Sequence, residues 1–366
     1  MDFIDLKQQY REHREVLDRA LAQVAASAKY INGPQVRQLE EDLAGMVGAG
    51  EAIGVGSGTD ALLVALLALE LKPGDEVICP AFTFIAAAEA VVLLGGKPVF
   101  AEVEESGGMI TAETVGQALT PKTVGIIPVD LFGQCAPLEE IGEVARNHGL
   151  WLIEDAAQSL GAARNNRMAG SFGNMAITSF YPAKPLGCMG DGGMIFTGDP
   201  ALAAKMRGLR VHGDTSGYNH AYLGLNARLD TIQAAVLLAK LSFFEKEVEL
   251  RQKAAANYEE LLSGIPGLTL PRPLPGNTSV WAQYTIQTER RDDLAAHLNQ
   301  EGIPTAIHYP RPLHQQPVFA RLGFDSGRFE TAEKLSGRVL SLPLHPYLSW
   351  DQQERVAGRI AGFLGS

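Results

Sequence analysis

Residues 179–194 read SFYPAKPLGCMGDGGM. Lys184 stands between Pro182 and Pro185 and runs into Gly187, Gly190, Gly192 and Gly193. Flanking prolines and glycines break helices, so this amine is not on a solvated helical face; the arrangement suggests an amine held in one place. In a restrained pocket a lysine can lose its proton and attack a carbonyl, forming a Schiff base. A second candidate lies in LWLIEDAAQSLGA, residues 150–162. An apolar strand pattern ends there in Glu154-Asp155, with Gln158 one turn later. Functional residues of α/β proteins gather at the carboxyl ends of parallel strands. Taken alone, Asp155 is either a helix cap or the partner of a buried cation. The third is GSGTDAL, residues 56–62. It is either an ordinary N-cap or a phosphate cup, with backbone N–H groups at a helix N-terminus and hydroxyls from Ser57 and Thr59. In chain order these are a phosphate cup, a cation partner and a Schiff-base lysine. Pyridoxal phosphate asks for all three, with Asp155 opposite its pyridinium nitrogen.

Such residues need a rigid frame. Short apolar runs at Glu76–Cys79, Pro98–Val103, Val124–Val129, Trp151–Glu154, Ala176–Phe180 and Met194–Thr197 read as strands. Helix-like segments at Thr59–Leu71, Ile85–Leu94, Leu138–His148 and Pro200–Arg207 separate them. Alternation of this kind predicts an α/β fold with a mostly parallel sheet. Residues 229–262 form one long helical pattern, apolar at first and then amphipathic, as a helix bridging two domains would be. A Pro/Gly-rich loop at 264–276 precedes a smaller α+β unit: a strand at Trp281–Gln287, a helix from Asp292, a strand at Thr305–Tyr309 and helices to the end. Ser349 with Gln352 predicts a capping box. The boundary falls near 240–250, giving a large domain over 1–245 with an N-terminal arm and a small domain over 246–366.

Composition narrows the class. A chain of 366 residues predicts two domains or one large domain with an appendage. The net charge of −11 argues against a nucleic-acid binder, which needs a basic face. The longest apolar stretch, around Ala61–Leu69, is too short to span a membrane. The opening MDFIDLKQQYREHRE is too charged for a secretory signal. Cys79, Cys135 and Cys188 are far apart and odd in number, which fits neither a disulfide framework nor a zinc site. No metal is expected, and a reduced cytoplasmic compartment is the simplest reading.

The stretches FIDLKQQY, YINGPQV, GSGTDAL, GDEVICPAFTFIA, IEDAAQSLGA, SFYPAKPLG, GDGGMIFT, GLNARLDTIQAA and AIHYPRPLHQQP run nearly end to end. In order and spacing the chain resembles the DegT/DnrJ/EryC1/StrS group, fold type I pyridoxal-phosphate enzymes that aminate nucleotide sugars. The resemblance implies roles residue by residue. Lys184 matches the Schiff-base lysine, Asp155 the residue that keeps the pyridine nitrogen protonated, and Gln158 a donor to the ring's phenolic oxygen. Ser57, Gly58, Thr59 and Ser179 match the phosphate cup. Phe84 matches the aromatic that stacks on the ring, with core packing as its other reading. Asn226 matches a side chain that reaches the phosphate from the neighbouring subunit, which implies a homodimer with shared active sites. Arg228, His308 and Tyr309 match positions near the sugar nucleotide, although His308 also reads as a structural histidine. Glu154, Asp191 and Gln233 read as structural.

Some relatives carry histidine at the lysine position and act as dehydratases; Lys184 favours an aminotransferase. The implied donor is L-glutamate, released as 2-oxoglutarate, with pyridoxamine phosphate between the two halves. The stretches LFGQCAPLEEI, WAQYTIQ and LSLPLHPYL resemble a subgroup that aminates C3 of UDP-2-acetamido-2-deoxy-3-keto-glucuronic acid, on the way to a diamino uronic acid of bacterial surface polysaccharide. A 3-keto or 4-keto deoxysugar on dTDP, UDP or GDP is the alternative. A regulatory protein on this fold would need no intact lysine, aspartate and phosphate cup. Asn226 and Arg228 alternate in an extended segment and so share a face. Arg228 either reads a uronate C6 carboxylate, holds the donor's carboxylate, or pairs with a structural acid.

Overall fold

The computed structural model describes residues 1–321 and 329–365. Seven strands build the central sheet in the order Glu51–Val55, Gly193–Thr197, Met175–Ser179, Trp151–Asp155, Thr123–Ile126, Glu76–Pro80, Lys97–Ala101. Gly193–Thr197 is antiparallel to both its neighbours. All other pairings in this sheet are parallel, as expected from the alternating pattern. Helices Gly58–Ala68, Ala86–Leu93, Leu138–Asn147 and Pro200–Leu209 connect and cover it. Because both faces are covered, the inner strands are apolar along their whole length; Val77, Ile78 and Cys79 are all fully buried. The parallel strands end along one edge of the sheet. Val55, Pro80, Ile126, Asp155 and Ser179 therefore deliver their following residues to the same rim.

Helix Thr231–Leu262 has 32 residues, a length of about 48 Å at 1.5 Å per residue. Its first half packs Ala234, Leu237 and Phe244 against Leu39, Phe180 and Phe196. Its last turns pack Ala254, Tyr258 and Leu262 into a second core with Tyr284, Ile286, Leu340 and Val356. Helix Arg14–Ser27 lies along it, and helix Leu6–Glu12 reaches it through Gln9. There the Gln9 amide donates to Glu247 (2.9 Å) and accepts from Lys240 (2.6 Å).

Three local expectations are corrected. Residues 305–309 form no strand: only Ala306 bridges to Ser341. Pro304 and Pro310 bound the segment, and Pro310 has no N–H to continue a ladder. The strand that pairs with Tyr284–Gln287 is Val339–Leu342, in a stretch read as helical. That run of four is too short for its periodicity to distinguish helix from strand. Glu51–Val55 was not foreseen as a strand. It contains Gly54, where a Cβ would lie only 3.2 Å from Leu229, so the glycine serves close packing. The predicted capping box is present: Ser349 Oγ accepts from Gln352 N at 3.2 Å, and Gln352 Oε1 accepts from Ser349 N at 3.0 Å. All three cysteines are free and buried. Among the described residues no helix is long and apolar enough to cross a membrane.

Candidate active site

The rim begins at the turn after Val55. Ser57 caps helix Gly58–Ala68, its Oγ accepting from Asp60 N at 3.0 Å. The N–H groups of Gly58 and Thr59 precede the helix's own hydrogen bonding and sit at the positive end of its dipole. Ser179, the last residue of its strand, faces them: a Cβ on Gly58 would lie 2.8 Å from the Ser179 Cβ and 3.3 Å from its Oγ. Gly193 pairs with both Val55 and Ser179, and a Cβ there would overlap the Ser57 carbonyl. Glycines at 58 and 193 thus bring two strand ends close enough to form a cradle of N–H and O–H donors.

Asp155 ends the central strand. It is buried, with its Oδ1 accepting from Ala157 N at 3.1 Å. Burial raises its pKa to about 6, opposed by that hydrogen bond and then by the charge of Lys184. Lys184 sits in a tight turn, its N–H donating to the Tyr181 carbonyl at 2.8 Å. Burial lowers its pKa, and Asp155 pulls it back. Gln158 accepts from Phe132 N (3.1 Å) through Oε1 and donates to the Tyr309 hydroxyl (3.3 Å) through Nε2. The Tyr309 ring meets Phe82 edge-on at 6.1 Å and Phe84 at 6.3 Å. Phe82 is buried, whereas Phe84 is 57% exposed; it is an open ring face rather than core. His308 hydrogen-bonds Ser341 Oγ through Nδ1 at 2.9 Å and touches Phe3 of the N-terminal arm at 6.2 Å. Burial first, and then the Lys184 charge, push His308 down to about 4. It is therefore a neutral imidazole at neutral pH.

The structure thus gathers Asp155, Gln158, Lys184, His308 and Tyr309 with Phe84 on one side, and Ser57, Gly58, Thr59 and Ser179 on the other. Asn226 and Arg228 do share a face. Their side chains form a pair of their own: Arg228 Nε and Nη2 both donate to Asn226 Oδ1, at 2.9 and 2.6 Å. The backbone beside them lies against the cradle, with Gly56 N donating to the Ala227 carbonyl at 3.0 Å. Among the described contacts, Arg228 meets no acid. Glu154 and Gln233 serve the backbone: Glu154 accepts from Gly170 N and Phe172 N, both at 2.8 Å, and Gln233 accepts from Met189 N at 2.9 Å.

Three features were missed from sequence. Asp130 lies against Glu154 in a fully buried carboxyl pair, with Cys135 beside it. Asp130 accepts from Ala136 N (2.8 Å) and Ser159 Oγ (2.7 Å). All four carboxyl oxygens of the pair thus have donors, a pattern that needs no metal. The signal was an acid in the apolar run VGIIPVDLFG. Thr83, between the two phenylalanines, has a buried hydroxyl with no partner among the described residues. Ser341 and Thr285 lie behind His308, with hydroxyls 2.8 Å apart.

Residues 11–361 match the DegT/DnrJ/EryC1/StrS aminotransferase family. The chain is 44% identical, over 95% of its length and 96% of the relative's, to a UDP-2-acetamido-2-deoxy-3-oxo-D-glucuronate aminotransferase of Pseudomonas aeruginosa. It is 42% identical, over 97% of its length and 93% of the relative's, to a dTDP-3-amino-3,4,6-trideoxy-alpha-D-glucose transaminase of Streptomyces venezuelae. Among solved structures, DesV of S. venezuelae in complex with a ketimine intermediate superposes with a TM-score of 0.97 at 41% identity, covering 100% of this chain and 98% of that one. A cradle of N–H and O–H donors, a buried aspartate and a half-buried lysine lie on one rim of an α/β sheet, and the likeness runs nearly the full length of the chain: this chain belongs to the DegT/DnrJ/EryC1/StrS aminotransferase family.

Proposed function

We propose that this rim holds pyridoxal phosphate and transfers an amino group from glutamate to a keto-sugar nucleotide. The observation that carries the reading is a buried Asp155 and a half-buried Lys184, close enough to feel each other's charge, beside the Ser57–Gly58–Ser179 cradle. The residues suit the cofactor. A cradle of N–H and O–H donors too tight for a Cβ fits a phosphate. A buried carboxylate with one backbone donor has room to accept from a protonated ring nitrogen. The open face of Phe84 fits an aromatic ring.

The bound cofactor supplies an electron sink when a carbon loses its proton. The protein's part is orientation and proton movement. Ser57, Gly58, Thr59 and Ser179 anchor the phosphate. Asp155 holds the ring nitrogen charged, and Gln158 donates toward the ring's oxygen. Lys184 would hold the cofactor, and its free Nζ would carry the proton from the donor's α-carbon; burial favours the neutral amine that a base requires. His308 and Tyr309 meet the sugar. Asn226 serves the neighbouring subunit's phosphate, so the working unit is a homodimer with shared sites. Its exposed side chain, which meets only Arg228 among the described hydrogen bonds, supports this.

Within the class we favour C3 of UDP-2-acetamido-2-deoxy-3-keto-glucuronic acid as acceptor, in cytoplasmic synthesis of a bacterial surface polysaccharide such as an O-antigen. The 44% identical Pseudomonas enzyme supports this. The S. venezuelae transaminase, nearly as similar at 42%, supports a dTDP-linked deoxysugar as the second reading. Both names place the nitrogen at C3. The test incubates the protein with glutamate and a panel of UDP- and dTDP-linked 3-keto and 4-keto sugars, and identifies the aminated product by mass and NMR. A 3-amino uronate is expected. Amination of deoxysugars alone would establish the second reading, and no amination of any keto sugar would refute both.

A further inference from the structure

His308 is wired into the small core by two hydroxyls in series. Its Nδ1 lies 2.9 Å from Ser341 Oγ, which lies 2.8 Å from Thr285 Oγ1. Thr285 and Ser341 are directly opposed across the antiparallel ladder of Tyr284–Gln287 and Val339–Leu342. Ser341 is also fixed to the His308 segment, its N–H donating to the Ala306 carbonyl at 2.8 Å and its carbonyl accepting from Ala306 N at 3.2 Å. Both hydroxyl residues are buried, Ser341 completely. The geometry is therefore set by backbone register rather than by flexible side chains.

Each hydroxyl has one proton to donate, so the chain can be ordered in two ways. In the first, Thr285 donates to Ser341, Ser341 donates to Nδ1, and the ring proton resides on Nε2. In the second, Nδ1–H donates to Ser341 and Ser341 to Thr285, and the Thr285 proton needs an acceptor of its own. Among the described residues Thr285 Oγ1 has no partner other than Ser341. The second order strands a buried hydroxyl donor and bears its desolvation penalty; the first leaves neither hydroxyl unmatched. The ring's other nitrogen, Nε2, has no partner among the described residues and belongs to a side chain close enough to Lys184 to feel its charge.

We propose that Thr285 and Ser341 are positioning residues that fix His308 as the Nε2–H tautomer, so that it offers the incoming sugar a hydrogen-bond donor and not an acceptor. A fixed donor selects for a sugar oxygen that can only accept, such as a carbonyl or carboxylate oxygen, over a site that must donate. The sugar contact rests on the reading that the keto-sugar enters beside Lys184; the tautomer does not.

The test is nitrogen-15 NMR of the holoenzyme labelled at histidine, with His308 assigned by its loss in His308→Gln. At neutral pH the wild type is expected to show an unprotonated Nδ1 and a protonated Nε2. Ser341→Ala removes the hydroxyl that donates to Nδ1. It is expected to let the ring proton populate Nδ1 and to raise KM for the keto-sugar by up to about tenfold, the scale of one neutral hydrogen bond. The glutamate half-reaction should stay within about twofold, and Ser341→Thr, which keeps the hydroxyl, should restore both readouts. A wild-type ring protonated on Nδ1 overturns the proposal, whatever becomes of the variant. A tautomer that moves in Ser341→Ala while KM does not overturns the sugar contact alone. If no keto-sugar is aminated, the functional reading fails, and the NMR measurement still decides the tautomer.

Discussion

Replacing Asp155 with asparagine keeps its size and its acceptor for the Ala157 N–H but removes the charge. If that charge holds the ring nitrogen protonated, turnover should fall at least about a hundredfold, the scale of removing one preorganised electrostatic partner. Single-turnover rates of both half-reactions measure this; near-normal rates would reduce Asp155 to a helix cap. The acids behind it make a different prediction. Burial pushes Asp130 up to about 7, and burial together with the Asp130 charge pushes Glu154 well above the carboxylate range. The folded pair therefore keeps a proton that the unfolded chain releases near pH 4. Its stabilisation is complete below that pH and is lost as pH rises through the folded value near 7. Asp130→Asn carries its own N–H toward Ser159 and Glu154 while still accepting from Ala136. Its Tm should fall less than the wild type's between pH 6 and 9. Parallel Tm curves would show that the pair does not hold a proton. The tight loop residues around Lys184 and Asp155 were legible in sequence because their flanking prolines, glycines and strand ends advertise a constrained backbone. Asp130 was not, since a single acid in an apolar run does not announce the second acid it meets across the sheet.

At the scale of elements, the cradle depends on strand Gly193–Thr197 entering the sheet against the direction of the others. Its first residue lies between Val55 and Ser179, where any side chain would displace the Ser57 carbonyl. Gly193→Ala should cost about 1–3 kcal/mol, as overpacking does, and should weaken cofactor retention more than it shifts the fold. Denaturant midpoints and cofactor absorbance after gel filtration separate the two effects. An alanine variant with normal stability and normal retention would mean that the turn can move aside. The larger unit was legible because helices and strands alternate with clear periods. The smaller one was partly misread: the run around Leu340 is too short to show a period, and the prolines at 304 and 310 turn an apparent strand into a connection. That misreading hid the Thr285–Ser341 contact, because two hydroxyls 56 positions apart become neighbours only once their strands are paired.

For the whole molecule, a shared site makes a countable prediction. Lys184→Ala chains and Asn226→Ala chains should each be inactive as homodimers. A mixed dimer contains one site with Lys184 and the neighbour's Asn226 both intact, so a purified heterodimer should recover up to about half of wild-type activity, one working site in two. No recovery in a verified heterodimer would place Asn226 in its own chain's site. The buried cysteines bear on how the protein meets reactive compounds. Cys79, Cys135 and Cys188 are all enclosed, and burial raises each thiol's pKa, so little thiolate exists to attack anything. Thiol-directed alkylating agents and mild oxidants should leave the native enzyme untouched, and a thiol assay should register nothing until denaturant releases all three. Lys184, by contrast, is half-buried, and burial lowers its pKa below that of a surface lysine. Aldehyde-bearing covalent inhibitors should therefore label Lys184, once freed of cofactor, in a protein that maleimides ignore.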